Sequence, residues 1–329
     1  MVRAAVLAAN AHNAQPWRFR VATDRIDLFA DTSRTIGTMD PLGREMQISL
    51  GCAIENLALA GPPNGKSPTV TFLPDPADRT HIARVDLVPT QRSVSALFSA
   101  IPTRHTNRAA YDTRRPVTQE QLDALGSLID APDVQLVWFT KVAAKRAFGD
   151  LTTRATAKII ADPRQAADDF AWYRTDWAEI QAKKDGITID PSGQSTLIRS
   201  LAKVLPVSQK QNNDGWLRGT LETQIPTAAA FGALVVRDPL DPIARLRVGR
   251  IWQRIHPSAT VQGLGMQPLC QVPERIDRER SAGLAPDFTD AMAVMLPRRS
   301  HAIMTFRIGY PTSEALRSPR RPATEVVLT

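Results

Sequence analysis

Four stretches of the 329-residue chain hold residue types at spacings that do chemistry. The first is Ala9-Asn10-Ala11-His12-Asn13-Ala14-Gln15-Pro16-Trp17, a polar turn closed by Pro and Trp. Its amides both donate and accept hydrogen bonds. The second is Thr103-Arg104-His105-Thr106-Asn107-Arg108, read as the opening of a helix. Arg104 and Arg108 stand four apart, so on a helix both point at one anion. Arginine binds phosphate through two parallel N–H groups, which suits a fixed dianion. The third is Gly263-Leu264-Gly265-Met266-Gln267-Pro268. It lacks a third glycine, which argues against a dinucleotide-binding loop. The fourth is Arg317-Ser318-Pro319-Arg320-Arg321-Pro322 near the C-terminus. Taken alone, the second stretch also reads as a solvated helix face and the fourth as a basic tail. A phosphate-bearing small ligand accounts for both.

Other chemistries find less support. The five histidines (12, 81, 105, 256, 301) form no His-x-x-x-His pair, so no metal site is expected. Cys52 and Cys270 are the two cysteines, read as small buried hydrophobes. No Ser-His-Asp or Cys-His grouping is legible. Lys and Arg number 41 against 33 Asp and Glu, a net charge of +8. A basic balance admits nucleic acid, but most of the basic residues are dispersed among acids. No zinc finger, aromatic RNP stripe or helix-turn-helix accompanies them, so nucleic acid is not the expected partner. The longest uncharged stretch, Thr223–Val236, contains Pro226 and falls short of the roughly 18 residues of a membrane span. No signal-peptide pattern opens the chain, which reads as cytoplasmic.

These stretches must be held by an ordered scaffold. Short strands are predicted at Arg18–Val21 and Ile26–Ala30, then a helix from about Arg44 to Ala60 with Gly61 as its stop. Met46, Leu50, Ile54 and Leu57 form its apolar stripe, and Ile48, Ala53 and Leu59 make it apolar on most sides. Strands follow at about Thr69–Leu73 and Ile82–Val88. Further on, Thr118 with Glu120-Gln121 starts a helix, Val134–Phe139 is a strand and Val142–Ala161 a helix. Ala233–Val236, a helix over 243–260 and Ile303–Ile308 complete the scheme.

The chain also repeats itself. Asp40-Pro41-Leu42 recurs as Asp238-Pro239-Leu240, an offset of 198. At that offset Gly51 meets Gly249, Gly65 meets Gly263, and the stripe meets Ala244, Val248, Trp252 and Ile255. The expected outcome is two central helices packed about a pseudo-twofold axis. Residues from Asp162 to about Thr223 have no counterpart in the first unit. An insertion of that length reads as a lid or an interaction arm. Its Trp172, Tyr173 and Trp177 fit the core of a helical arm or a cover over a ligand.

Asn10–Trp17 resembles the Pro-Ser-Ser-x-Asn-x-Gln-Pro-Trp signature of the nitroreductase family. Arg104-x-x-Asn107-Arg108 looks like that family's opening helix motif, the Gly263–Pro268 block like its Gly-Leu-Gly turn, and Gly309-Tyr310-Pro311 with Arg317–Pro322 like its C-terminal phosphate segment. The fused arrangement is most similar to the Acg-type subgroup, with two nitroreductase units in one chain and one flavin under a lid. The resemblance implies an α+β fold: a mixed, mainly antiparallel sheet with flanking helices, duplicated within one chain as a monomeric pseudo-dimer. It implies FMN as cofactor, with NAD(P)H as a possible reductant. The halves are expected at 1–100 and 101–329, the second carrying a lid insertion at about 162–223.

The same resemblance assigns the cofactor contacts. Arg104, Arg108 and Arg320, or its neighbour Arg317, would clamp the phosphate. His12, Asn13, Gln15, Thr106 and Asn107 would line the site, Asn13 facing the flavin ring edge. Gln267, Pro268 and Leu269 would line the ring, with backbone N–H groups around Gln267–Leu269 against flavin N1 and O2. The first unit has the Asn-x-Gln-Pro-Trp loop without an Arg-rich segment before it; the second has the Arg segment and tail without the loop. One complete site per chain is the expectation. The family's Ser hydroxyl is replaced by Ala11, with His12 or Asn10 as substitutes. The leading expectation is therefore an FMN-binding flavoprotein with lid-restricted or vestigial reductase activity, possibly storing flavin. The alternative is an active NAD(P)H-dependent nitro- or quinone reductase working by ping-pong hydride transfer.

Overall fold

The computed structural model describes residues 1–205 and 207–328. Eight strands make two four-stranded sheets. They are β1 (Trp17–Val21), β2 (Arg25–Ala30), β3 (Lys66–Phe72), β4 (His81–Pro89), β5 (Val134–Phe139), β6 (Ala230–Val236), β7 (Gly265–Pro268) and β8 (His301–Gly309). The orders are β1-β2-β4-β3 and β5-β6-β8-β7, the same pattern twice. Every ladder is antiparallel. Among the described residues, parallel pairing is confined to single bridges, Phe19 with Val327, Thr106 with Met266 and Tyr173 with Ile187. The register slips once between the inner strands of each sheet, at Leu28/Phe29 and at Leu234/Val235. A shared irregularity at equivalent positions belongs to a duplicated α+β unit rather than to two unrelated sheets.

The two central helices, Arg44–Ala60 and Pro242–Val261, pack against each other and share one hydrophobic core with strands of both sheets. Both are buried on most sides, as an apolar circumference requires. They cross at Gly51 and Gly249. A methyl on Gly51 would stand 2.2 Å from the Leu246 carbonyl oxygen, and one on Gly249 would stand 2.1 Å from that of Ile48. The two glycines therefore set the interhelical distance. Beside the crossing, the Gln253 side-chain N–H donates to Asn56 Oδ1 at 2.9 Å, and Arg250 pairs with Glu55 at 2.7 Å.

Local signals fix several boundaries. Asp40 accepts from the Glu45 and Met46 N–H groups at the start of the first central helix. Thr118 and Gln121 form a reciprocal capping box for the helix Gln119–Gly126. The stretch Thr103–Arg108 departs from expectation: it is irregular, and the helix before it, Ala96–Ala100, ends short of it. Its backbone is claimed from afar instead. The Asn107 N–H donates to Met266 O at 3.0 Å and the Arg108 N–H to Pro191 O at 2.9 Å.

The sheets differ in one connection. Residues 22–24 join β1 to β2, whereas 140–229 join β5 to β6. That arm holds the helices Val142–Ala161, Pro163–Phe170, Trp177–Lys183, Thr196–Leu201 and Gln209–Gly219. It folds onto the first unit. Thr38 donates through N–H and hydroxyl to Asp168, and the Gly186 N–H donates to Asn13 O. The C-terminal tail crosses as well, with the Leu328 N–H donating to Phe19 O at 2.7 Å. No described helix is long and apolar enough to cross a membrane.

Candidate functional site

The loop before β1 is conformationally strained. His12, Asn13 and Gln15 all have positive φ, at 49°, 53° and 53°. Non-glycine residues pay about 1–3 kcal/mol each in such regions, and such strain gathers at ligand clamps. Cross-ties hold the shape. Asn10 Oδ1 accepts from the Gln15 N–H at 2.8 Å. Gln15, fully buried, donates to Lys184 O and accepts from the Arg321 N–H. The Asn13 amide donates to Pro319 O at 2.8 Å and accepts from Arg320.

This loop and the tail enclose a small cavity of about 130 Å³. Arg104, Arg108, Arg317 and Arg320 line it, together with His105 and Thr106. Arg104 donates to Leu7 O at 3.0 Å, and its Nε has no partner among the described residues. Arg320 Nε is orphaned in the same way. Burial lowers Arg104 to about 10, and burial together with the Arg104 charge lowers Arg320 to about 9. No carboxylate is among the charges that act on either. Burial, then Arg104, Arg320 and Arg317, push His105 down to about 4. Buried like charges with unpaired donors are costly unless an anion completes them. A phosphate dianion fits this demand in charge, donor type and size.

The small cavity opens into one of about 820 Å³ through shared walls at Asn10, His12, Thr106 and Arg108. That volume lies in the range of small-molecule and cofactor sites. Met39, Ile48, Trp252 and Met304 give it apolar faces. The arm supplies much of the wall, including Asp169, Tyr173, Ile187, Asn212 and Trp216. Trp172 instead packs with Ile36, Met39 and Ile159, and Trp177 is exposed. His12 Nε2 meets Asp169 Oδ1 at 2.8 Å. Burial disfavours the imidazolium, but the Asp169 hydrogen bond and charge outweigh it and raise the His12 pKa.

The structure redistributes the roles expected from sequence. His12, Thr106, Arg108, Gln267 and Pro268 line the large cavity; Asn13, Arg104, Arg317 and Arg320 line the small one. Gln15, Asn107 and Leu269 line neither. Arg104 and Arg108 do not share a helical face, because no helix forms there. Asn13 does not present a free amide to a ring edge, since both of its ends hold the tail. The Leu269 N–H is spent on Thr305 O at 2.8 Å, and Pro268 has no N–H to offer. The hydroxyl absent at Ala11 has a neighbour that sequence spacing could not reveal: Ser49 Oγ, 3.0 Å from the Ala11 N–H that donates to it.

Arg307 was also missed. It is fully buried in β8 and donates to Gln267 Oε1, Gln224 O and Ala109 O. It thereby ties the 107–109 segment to β7. A lone charge inside the apolar run His301–Gly309 was the available signal. Glu45, Asp169 and Glu274 were not singled out because they meet only in three dimensions.

No family model matches the chain. Over 110 residues it is 42% identical to "Putative NAD(P)H nitroreductase Rv3131" of Mycobacterium tuberculosis, covering 32% of each chain. Over 88 residues it is 32% identical to "Putative NAD(P)H nitroreductase acg" of the same species, covering 27% of each. The matched stretches span about a third of the length of these curated relatives. Among solved structures, a nitroreductase with bound FMN from Desulfitobacterium hafniense is 11% identical, covering 72% of this chain and 99% of that one at a TM-score of 0.44. The sequence resemblance to the nitroreductases, with an Acg protein among the relatives, stands on the mycobacterial matches.

Proposed function

We propose that this relative of the mycobacterial nitroreductases is an FMN-binding flavoprotein whose reductase activity is restricted by the arm over its cavity. The observation that carries the reading is the four-arginine pocket opening directly into the large, partly apolar cavity. In it Arg104, Arg108, Arg317 and Arg320 hold the phosphate, with Asn13 fixing Arg320 and Thr106 at the junction. Bound FMN supplies reversible two-electron chemistry. His12 and Asp169 keep a proton at the His12 Nε2 position on the cavity wall. The arm's Asp169, Tyr173, Asn212 and Trp216 limit water and second-substrate entry.

Each charge-assisted hydrogen bond to phosphate contributes about 1.5–3 kcal/mol. At 1.4 kcal/mol per tenfold, Arg104→Ala or Arg320→Ala weakens FMN binding about 10- to 100-fold. Riboflavin, which lacks the phosphate, binds these variants as it binds the parent. Fluorescence titration with both flavins checks this. FMN affinity unchanged in both variants would dismiss the site. The second reading, an active NAD(P)H-dependent nitro- or quinone reductase, draws on the printed names of the relatives. Anaerobic stopped-flow at the flavin absorbance separates the two. Dithionite bleaches the flavin in either case, whereas rapid bleaching by NADH or NADPH favours the second. A basic nucleic-acid-associated protein would purify without yellow colour.

A further inference from the structure

The large cavity has an acidic corner, and of the clamp arginines Arg104, Arg317 and Arg320 do not line this cavity. Glu45 projects there from the first central helix, Asp169 from Pro163–Phe170, and Gln271 and Glu274 from Gln271–Ala282. These four are 7%, 3%, 5% and 6% exposed. Asp169 Oδ2 and Gln271 Oε1 are buried with no donor among the described residues, and the Glu274 carboxyl has only the Glu45 carboxyl, with which it shares a proton. These buried acceptors, on residues that line one cavity, are a one-sided demand for donors. Of the nearby cations, Arg44, Arg275 and His12 are already committed, whereas Arg108, which also lines this cavity, acts on Asp169 only through space among the described residues. Arg44 donates to Asp277 at 2.6 Å, to Ile303 O and to Glu45. Arg275 donates to Gln165, and His12 meets the other Asp169 oxygen. Among the described residues no three His, Cys, Asp or Glu side chains are placed to hold a metal ion.

We propose that this corner is a recognition subsite for a substrate bearing a donor-rich organic cation, an amidinium or ammonium group. The proposal rests on reading the rest of the cavity as the flavin's. A planar amidinium offers several N–H donors to acceptors that now have none, and its charge meets Asp169 and Glu274 directly. Burial and the neighbouring Glu45 charge hold the Glu274 carboxyl protonated well above the ordinary carboxylate range. Glu45 is raised in the same sense, chiefly by burial. The other charged groups facing the pair are Arg44 on the same helix as Glu45, Asp169 on the arm, and His12 and Asp40 on the preceding loops. The corner therefore neutralises itself with a proton that a cationic occupant displaces.

The test uses three ligands of one shape, benzamidine, benzamide and benzoate, by calorimetry on the FMN-loaded protein and on the flavin-free protein. Benzamidine is expected to bind at least about tenfold tighter than benzamide, from one or more charge-assisted contacts. Its heat should change with buffer ionisation enthalpy, reporting proton release, and benzoate should not bind. Glu274→Gln and Asp169→Asn should each erase the preference for benzamidine over benzamide. Equal affinity for benzamide, preference for benzoate, or a preference that survives both variants overturns the subsite. So does displacement of benzamidine by FMN, which would give the corner to the flavin itself. Failure of the flavin reading shows separately, as a protein that retains no absorbance near 450 nm yet still selects benzamidine.

Discussion

His105 is the most direct reporter of the arginine pocket. Burial and three guanidinium groups hold it at about 4. A dianion among Arg104, Arg317 and Arg320 cancels the charge that depresses it. Its titration, followed by NMR, should therefore move upward when FMN or inorganic phosphate binds, and stay put with riboflavin. His12 has the opposite sign. Its folded pKa is raised, so the stabilisation from Asp169 is complete below the unfolded value near 6.5 and is lost as pH rises through the raised value. That bond joins the strained loop to the arm. Amide exchange in Ile187 and its neighbours should accelerate as pH climbs past that point. Asp169→Asn should show fast exchange throughout and no such pH step.

At the level of elements, the crossing of the central helices leaves no room for a side chain at either glycine. Overpacking a filled core costs about 1–3 kcal/mol, and here the clash is with backbone, which has no rotamer to change. Gly51→Ala and Gly249→Ala should each lose at least about 2 kcal/mol in urea unfolding, despite the higher helix propensity of alanine. Sequence made this crossing legible because glycine recurrence and apolar periodicity are local and sit at a fixed offset. Strand Val134–Phe139 and helix Val142–Ala161 were equally legible, since periodicity and turn residues bound them. The segment Thr103–Arg108 was not. Nothing in its composition announces that Met266 O and Pro191 O will take its N–H groups. The acidic corner was illegible for the same reason, because Glu45, Asp169 and Glu274 are separated by more than a hundred residues at each step. The arm that lines the cavity offers a further test. Shortening it between Trp177 and Val204, both exposed, should speed reduction of bound flavin by NADPH while leaving dithionite reduction unchanged.

The whole molecule shows one order of strands twice, yet its two halves offer unequal places for a ligand. The clamp loop precedes β1 in the first half, and the tail of the second half reaches it, Arg320 meeting Asn13. By strand order β5 is the counterpart of β1, so the counterpart of the clamp loop is the stretch 126–133. That stretch carries Asp130 and Asp133, which are engaged with Arg254 at 2.6 Å and Arg247 at 2.8 Å. Carboxylates at that position repel a phosphate, and their arginine partners are already neutralised by them. The four-arginine pocket has no second copy there. We therefore expect about one FMN per chain at saturation. Flavin released by denaturation and read against protein concentration gives the ratio. A ratio approaching two would require the acidic stretch to release Arg247 and Arg254 to a second phosphate. Asp130→Asn with Asp133→Asn should then raise the affinity of that second site. At a ratio of one, the same double substitution should leave flavin content unchanged, because the stretch 126–133 has neither the positive-φ backbone of the clamp loop nor the arginine tail, which is already spent on Asn13.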